Sequence, residues 1–142
     1  MSNLLEGGAD SVWARIPKMA VWRRRALELF PQLRRDVNGR DRYSIYMLYF
    51  DLLPMLRDAF DSGDDELVRR VFTFAEWCSR QAAEDLWNAA GVAFYEHLFD
   101  RPEYSERVIA WLSPCVVFDH WSLWEAQVAP AEWDRVRPLL ED

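Results

Sequence analysis

Two cysteines, two histidines and several adjacent carboxylates are the side chains of this chain with the most chemistry to offer. Cys78 and Cys115 stand too far apart for a CxxC redox or metal pair. Cys115 follows Pro114 at an expected helix start, where the helix dipole would lower a thiol pKa. No base accompanies either thiol, so both read as ordinary buried cysteines. His97 and His120 are too few for a multi-histidine metal site. A mixed site of Glu96, His97, Asp119 and His120 is conceivable, but adjacent residues of a helix point about 100° apart and do not converge on one ion. His97 shares a stripe with Leu86, Ala90 and Ala93, which suits a hydrogen-bonded core histidine. The pairs Asp64/Asp65 and Glu84/Asp85 have the chemistry for acid–base work. Both fall at expected helix starts, where acidic residues offset the macrodipole. No GxGxxG, GxxxxGK[ST] or HExxH motif occurs, and Asp61-Ser-Gly-Asp-Asp-Glu lacks the ligand order of a calcium loop. The expectation is a non-enzyme with no catalytic residue, no metal and no cofactor.

The elements that must carry these residues are helical by spacing. Met19, Trp22, Ala26, Leu29 and Phe30 recur at three- and four-residue intervals, with Arg23 to Arg25 projecting elsewhere. Pro31 should bend or end that helix, and Asn38-Gly39 marks a turn. Tyr43–Phe60 is too long for a strand and reads as a helix kinked or split at Pro54. Ser62-Gly63 closes it, and Ser62 or Asp64 can cap the helix over 65–80. In that helix Glu66–Arg70 and Glu76–Arg80 form i,i+4 pairs, each worth about 0.2–0.5 kcal/mol. Glu84–Phe99 reads as one long, central helix, with Gly91 a packing glycine against the helix over 65–80. Pro102, Cys115 and Pro130 open three more. The fold expected is all-α, an antiparallel bundle or short solenoid-like stack of about five to seven helices.

The 142 residues suit a single domain, 1–142, with residues 1–10 loose, 11–42 a basic helical segment and 43–142 an acidic helical body. Nine basic and five acidic side chains fall in 1–42, against eight and nineteen in 43–142, for a net charge of −7. An acidic body argues against nucleic acid, which needs Lys and Arg to displace counterions, and favours a basic partner. No run of about 18 apolar residues is present to span a membrane. No signal peptide is visible either, so a cytoplasmic location is expected. Aromatics make up 15%. Among them Trp121 and Trp124 share one helix face, which either packs on the domain or anchors a protein partner.

One stretch carries a likeness. Phe74-Ala-Glu76-Trp77-Cys78, an acidic turn, then Asp85-Leu-Trp-Asn88-Ala-Ala-Gly-Val92-Ala-Phe94-Tyr-Glu96-His-Leu98 resembles a family of small uncharacterised bacterial all-helical domains that often look like toxin immunity proteins. In that family the third helix carries an Asn, an apolar run and a Glu before Leu, matched here by Asn88, Glu96 and Leu98. The likeness covers residues 43–112. It implies an immunity or antitoxin protein that neutralises a bacterial toxin by occluding its active site. The alternative is a regulatory or adaptor domain that holds a peptide or partner helix in a groove. For a basic toxin domain, the expected partner surface is an acidic edge of Asp58, Asp61, Asp64, Asp65, Asp100 and Glu103 with Glu96 a turn below. Trp121 and Trp124 form the competing surface.

Overall fold

The computed structural model describes residues 20–39 and 43–142, and all regular structure among them is helical. Eight α-helices follow in order: α1 (Val21–Leu29), α2 (Arg34–Gly39), α3 (Ile45–Ser62), α4 (Asp65–Ser79), α5 (Glu84–Ala89), α6 (Ser105–Ile109), α7 (Pro114–Gln127) and α8 (Pro130–Glu141). The all-α expectation holds. The helix beyond the expected five to seven is α2, which forms where Pro31 starts a 3₁₀ turn and the chain then resumes as α-helix instead of ending. The expected loose segment 1–10 lies outside the described residues, as do residues 11–19.

Local signals set the boundaries. The Ser44 hydroxyl accepts from the Met47 amide (3.2 Å) and starts α3. Gly63, at φ 75°, ends it in the left-handed region that glycine enters at no steric cost. Asp64 then caps α4 by accepting from the Leu67 amide (3.2 Å). Pro54 neither ends nor splits α3, which runs unbroken for 18 residues. The carbonyl that Pro54 leaves without a partner belongs to Phe50, and both residues are exposed, so water can serve it.

The core lies where α3 meets α4. Leu48, Tyr49, Leu52 and Leu56 face Val68, Val71, Phe74 and Ala75, all buried. Phe74 packs edge-on against Phe30 (5.8 Å between centroids) and beside Tyr49 (5.7 Å). Phe94 extends the cluster to Tyr49 and Phe72. The arginines of α1 do not simply project away. Arg23 donates to the carbonyls of Val37 (2.7 Å) and Tyr43, tying α1 to the segment after it, and Arg25 lies over the Trp77 ring. The Glu66–Arg70 and Glu76–Arg80 pairs both form.

The expected long helix over Glu84–Phe99 is central but broken. α5 passes into a π-helical stretch at Ala90–Phe94 and then a 3₁₀ turn at Tyr95–His97, with Phe94 at φ −126°, ψ −72°. Gly91 lies in the π stretch and does not serve α4. The nearest atom a Cβ there would meet is His120 Nε2 of α7, at 3.7 Å, an ordinary contact distance. Gly91→Ala should therefore leave stability unchanged or raise it by about 0.5–1 kcal/mol, because glycine costs backbone entropy in a helix. Urea denaturation measures this, and a loss of stability would mean that the site is tighter than its geometry allows.

Candidate functional site

The structure brings part of the acidic edge together. The Tyr104 hydroxyl donates to Asp61 Oδ2 (2.9 Å), and its ring stacks on Phe60 (6.0 Å). Arg107 donates to the carbonyls of Phe60 (3.3 Å) and Glu103 (3.2 Å). The end of α3 is thus pinned to the turn over Pro102–Tyr104, placing Asp61 beside Glu103. Most of these charges also have local work. Asp61 sits near a helix C-terminus, where the dipole disfavours it, but it accepts the Tyr104 proton, and that bond raises the phenol's pKa. Asp64 is a cap and Asp65 lies in the first turn of α4. Asp100 takes His97 Nδ1 (2.8 Å), so His97 is half-exposed on the surface and not a core histidine. Glu103 is held below the usual carboxylate range, first by a backbone hydrogen bond and then by Arg101 (3.3 Å). Asp58 is exposed, while Glu96 is half-buried in the turn over Tyr95–His97. Arg101 and Arg107 interleave with these acids, so the edge is less negative than its carboxylates alone suggest.

The two tryptophans do not share a surface. Trp124 is 0% exposed, with its indole N–H donating to the Tyr95 carbonyl (2.8 Å) and its ring edge-on to Phe99 (5.0 Å). A side chain with no exposed area can offer nothing to a partner, so Trp124 is a core residue. Trp121 is half-buried, edge-on to Trp133 (5.2 Å, 77°).

Trp121 also lines an open groove of about 880 Å³ walled by α6, α7 and α8. Its apolar lining includes Ile109, Leu112, Val117, Phe118, Trp121 and Leu140, and Asp119, Glu141 and Asp142 add carboxylates. Phe118 is 83% exposed. Burying a phenylalanine is worth about 1.5–3 kcal/mol, and this one forgoes nearly all of that. α7 turns Val116 and Trp124 inward and leaves Phe118 on the open side.

The groove depends on how α8 is held. Glu132 accepts from the buried Ser105 hydroxyl of α6 (2.7 Å) and pairs with Arg135 (2.7 Å). Arg135 reaches on to Glu106 (3.0 Å) and the Pro102 carbonyl (3.1 Å). The Arg135 guanidinium, more than the Ser105 hydroxyl, holds the Glu132 carboxyl below its ordinary range. A carboxyl whose folded pKa lies below the unfolded value, about 4.3, adds stability above that value and loses it as pH falls through the folded pKa. The parent should therefore lose thermal stability more steeply than Glu132→Gln between about pH 5 and pH 3. Parallel slopes in calorimetry would show that the clamp is not coupled to folding.

The thiols and histidines give no converging site. Burial pushes the Cys78 thiol up to about 12, which holds it protonated and inert. Cys115, expected to be buried, is exposed because Pro114 and Cys115 open α7 at its outer end. Native protein should take up iodoacetamide at Cys115 alone, and at both cysteines in urea. Peptide mass spectrometry reads the positions, and native labelling of Cys78 would contradict its burial. His97 and His120 sit in separate surroundings, and no group of three or more metal-ligating side chains forms among the described residues.

Fold and groove together define a small all-helical domain with an open apolar cleft near its C-terminal end. The chain belongs to the family described as "Domain of unknown function (DUF7674)", which matches residues 23–116. That match takes in most of α1 and all of α2, so the family unit begins earlier than the likeness over 43–112 implied, and it crosses the charge boundary at residue 42. It carries no functional description, and nothing in it links the chain to immunity proteins. No curated protein and no solved structure matches the chain. No described helix is long and apolar enough to cross a membrane.

Proposed function

We propose that this chain works by binding and not by catalysis, as an immunity-type protein that docks a basic partner, a bacterial toxin domain, and occludes its active site. The observation that supports this is Phe118, left 83% exposed on an apolar groove with carboxylates among its lining. Aromatic side chains in this setting are the usual anchors of protein interfaces. The carboxylates Asp119, Glu141 and Asp142, on a chain of net charge −7, favour an occupant that is apolar along one face and basic beside it. The acidic edge near Asp61 would steer such a partner at long range, whereas the groove would supply the contact. An adaptor holding a partner helix would use the same groove.

The test has two stages. The chain is used as bait in its native host, and the captured protein is then co-expressed with it in a growth assay. The immunity reading expects a basic protein that is toxic alone and harmless with the chain, with both effects lost in Phe118→Asp. A harmless partner that still needs Phe118 would favour the adaptor reading. Equal capture and rescue by Phe118→Asp would sink the groove as the contact.

A further inference from the structure

A second cleft, of about 510 Å³, lies on the other side of α7 and shares Asp119 with the groove. It is lined by Ser79 from the end of α4, Trp87 and Asn88 from α5, Gly91 from the π stretch, and Asp119 and His120 from α7. π-Helical insertions of this kind are frequent at functional sites, and here the insertion places Gly91 against His120. His120 Nδ1 lies 2.8 Å from the Val116 carbonyl. A carbonyl only accepts, so Nδ1 carries the proton, and in the neutral ring Nε2 is an acceptor. That Nε2 faces the space left by the missing side chain of Gly91. Asn88 spends its Nδ2 on the Tyr46 hydroxyl (2.9 Å), which leaves its carbonyl oxygen to accept. Ser79 gives its proton to the Glu76 carbonyl (2.8 Å). Asp119 is exposed and makes no ion pair among the described residues. Trp87, 44% exposed, supplies an indole wall.

An aromatic wall beside a carboxylate, an imidazole acceptor and an amide oxygen selects one common chemistry. Anions are repelled by Asp119. A compact, strongly hydrated ammonium could pair with Asp119 but would use little of the remaining lining. A guanidinium is planar, carries five N–H donors and no acceptor, and stacks on aromatic faces. We infer that this cleft is a socket for a guanidinium group, with Trp87 as the stacking wall and Asp119, Asn88 and His120 as acceptors. Its natural occupant is an arginine side chain of a protein. That assignment of source rests on the binding role proposed above, whereas the socket itself does not.

The experiment is an NMR titration of the full chain with three probes: a blocked Gly-Arg-Gly peptide, free L-arginine and a blocked Gly-Lys-Gly peptide. Saturable shifts are expected for the Trp87 indole N–H and for Asn88, Gly91 and His120, in the millimolar range, with the lysine peptide several-fold weaker. Asp119→Asn should weaken the arginine peptide by about tenfold, the usual value of one charge-assisted hydrogen bond. Trp87→Ala should weaken it several-fold, with the protein's melting temperature showing both variants folded. Binding of free arginine without the blocked peptide keeps the guanidinium site but overturns the protein source. Equal response to lysine and arginine, or shifts that map elsewhere, would overturn the socket. The groove is read separately by Phe118→Asp, so failure of either site is distinguishable from failure of the other.

Discussion

Trp124→Ala should be among the most destabilising single substitutions in this chain, costing about 3–5 kcal/mol. Trp124 is fully enclosed, and its ring packs on Phe99 and His120. Its indole N–H also reaches the Tyr95 carbonyl, in the stretch where the chain leaves its π turn for a 3₁₀ turn. The Leu98 amide also serves that carbonyl, at a longer 3.3 Å. The substitution therefore removes both a large apolar volume and the shorter of two hydrogen bonds at a break in the helix. Against a typical stability of about 5–15 kcal/mol, this is a large share. The melting temperature should drop by roughly 10–20 °C for a domain of this size. Trp124→Phe keeps an aromatic ring but loses the donor and part of the buried volume, so it should cost less, about 1–3 kcal/mol. If Trp124→Ala melted within two or three degrees of the parent, the join between α7 and the Tyr95 turn would not be structural.

Phe118→Asp should do the reverse, sparing the fold and abolishing partner binding. With 83% of its area in water, Phe118 adds little to folding, and its replacement should shift stability by no more than about 0.5 kcal/mol. An aromatic anchor at the centre of an interface is worth about 2 kcal/mol or more, so affinity for the captured partner should fall at least about 30-fold. Charge adds to the effect, because a fourth carboxylate would join Asp119, Glu141 and Asp142 along the groove. Calorimetry and a binding isotherm on the same preparation separate the two quantities. A variant that binds like the parent would move the contact surface away from the groove. The edge around Asp58 and Asp61 would then be the next to alter.

Helical class and several caps were legible in the residues because each is decided within a few positions of itself. Gly63, Asp64 and the prolines at 114 and 130 act on backbone groups within about a turn of themselves, and the structure uses them as their types require, whereas the caps at Ser44 and Ser113 emerged only in the fold. Three- and four-residue apolar spacing likewise identifies a helix without reference to its neighbours. Spacing does not tell which apolar face meets another helix, and there tertiary structure decided. Trp121, Trp124 and Phe118 belong to one helix and are similar in chemistry. Only the approach of Tyr95 and Phe99 buries the second, only Trp133 half-covers the first, and nothing described covers the third. The same holds for the charges. Asp61 looked misplaced at a helix end until Tyr104, far along the chain, supplied a proton for it. His97 was read as buried from its stripe and Cys115 from the lack of a base beside it, yet both reach the surface, because the π turn breaks the helix carrying one and the other opens α7. Periodicity assumes an unbroken helix with a single buried side. Where a π turn shifts the register, or where one helix is packed from two directions, the burial of each side chain is set by the neighbours it meets in space.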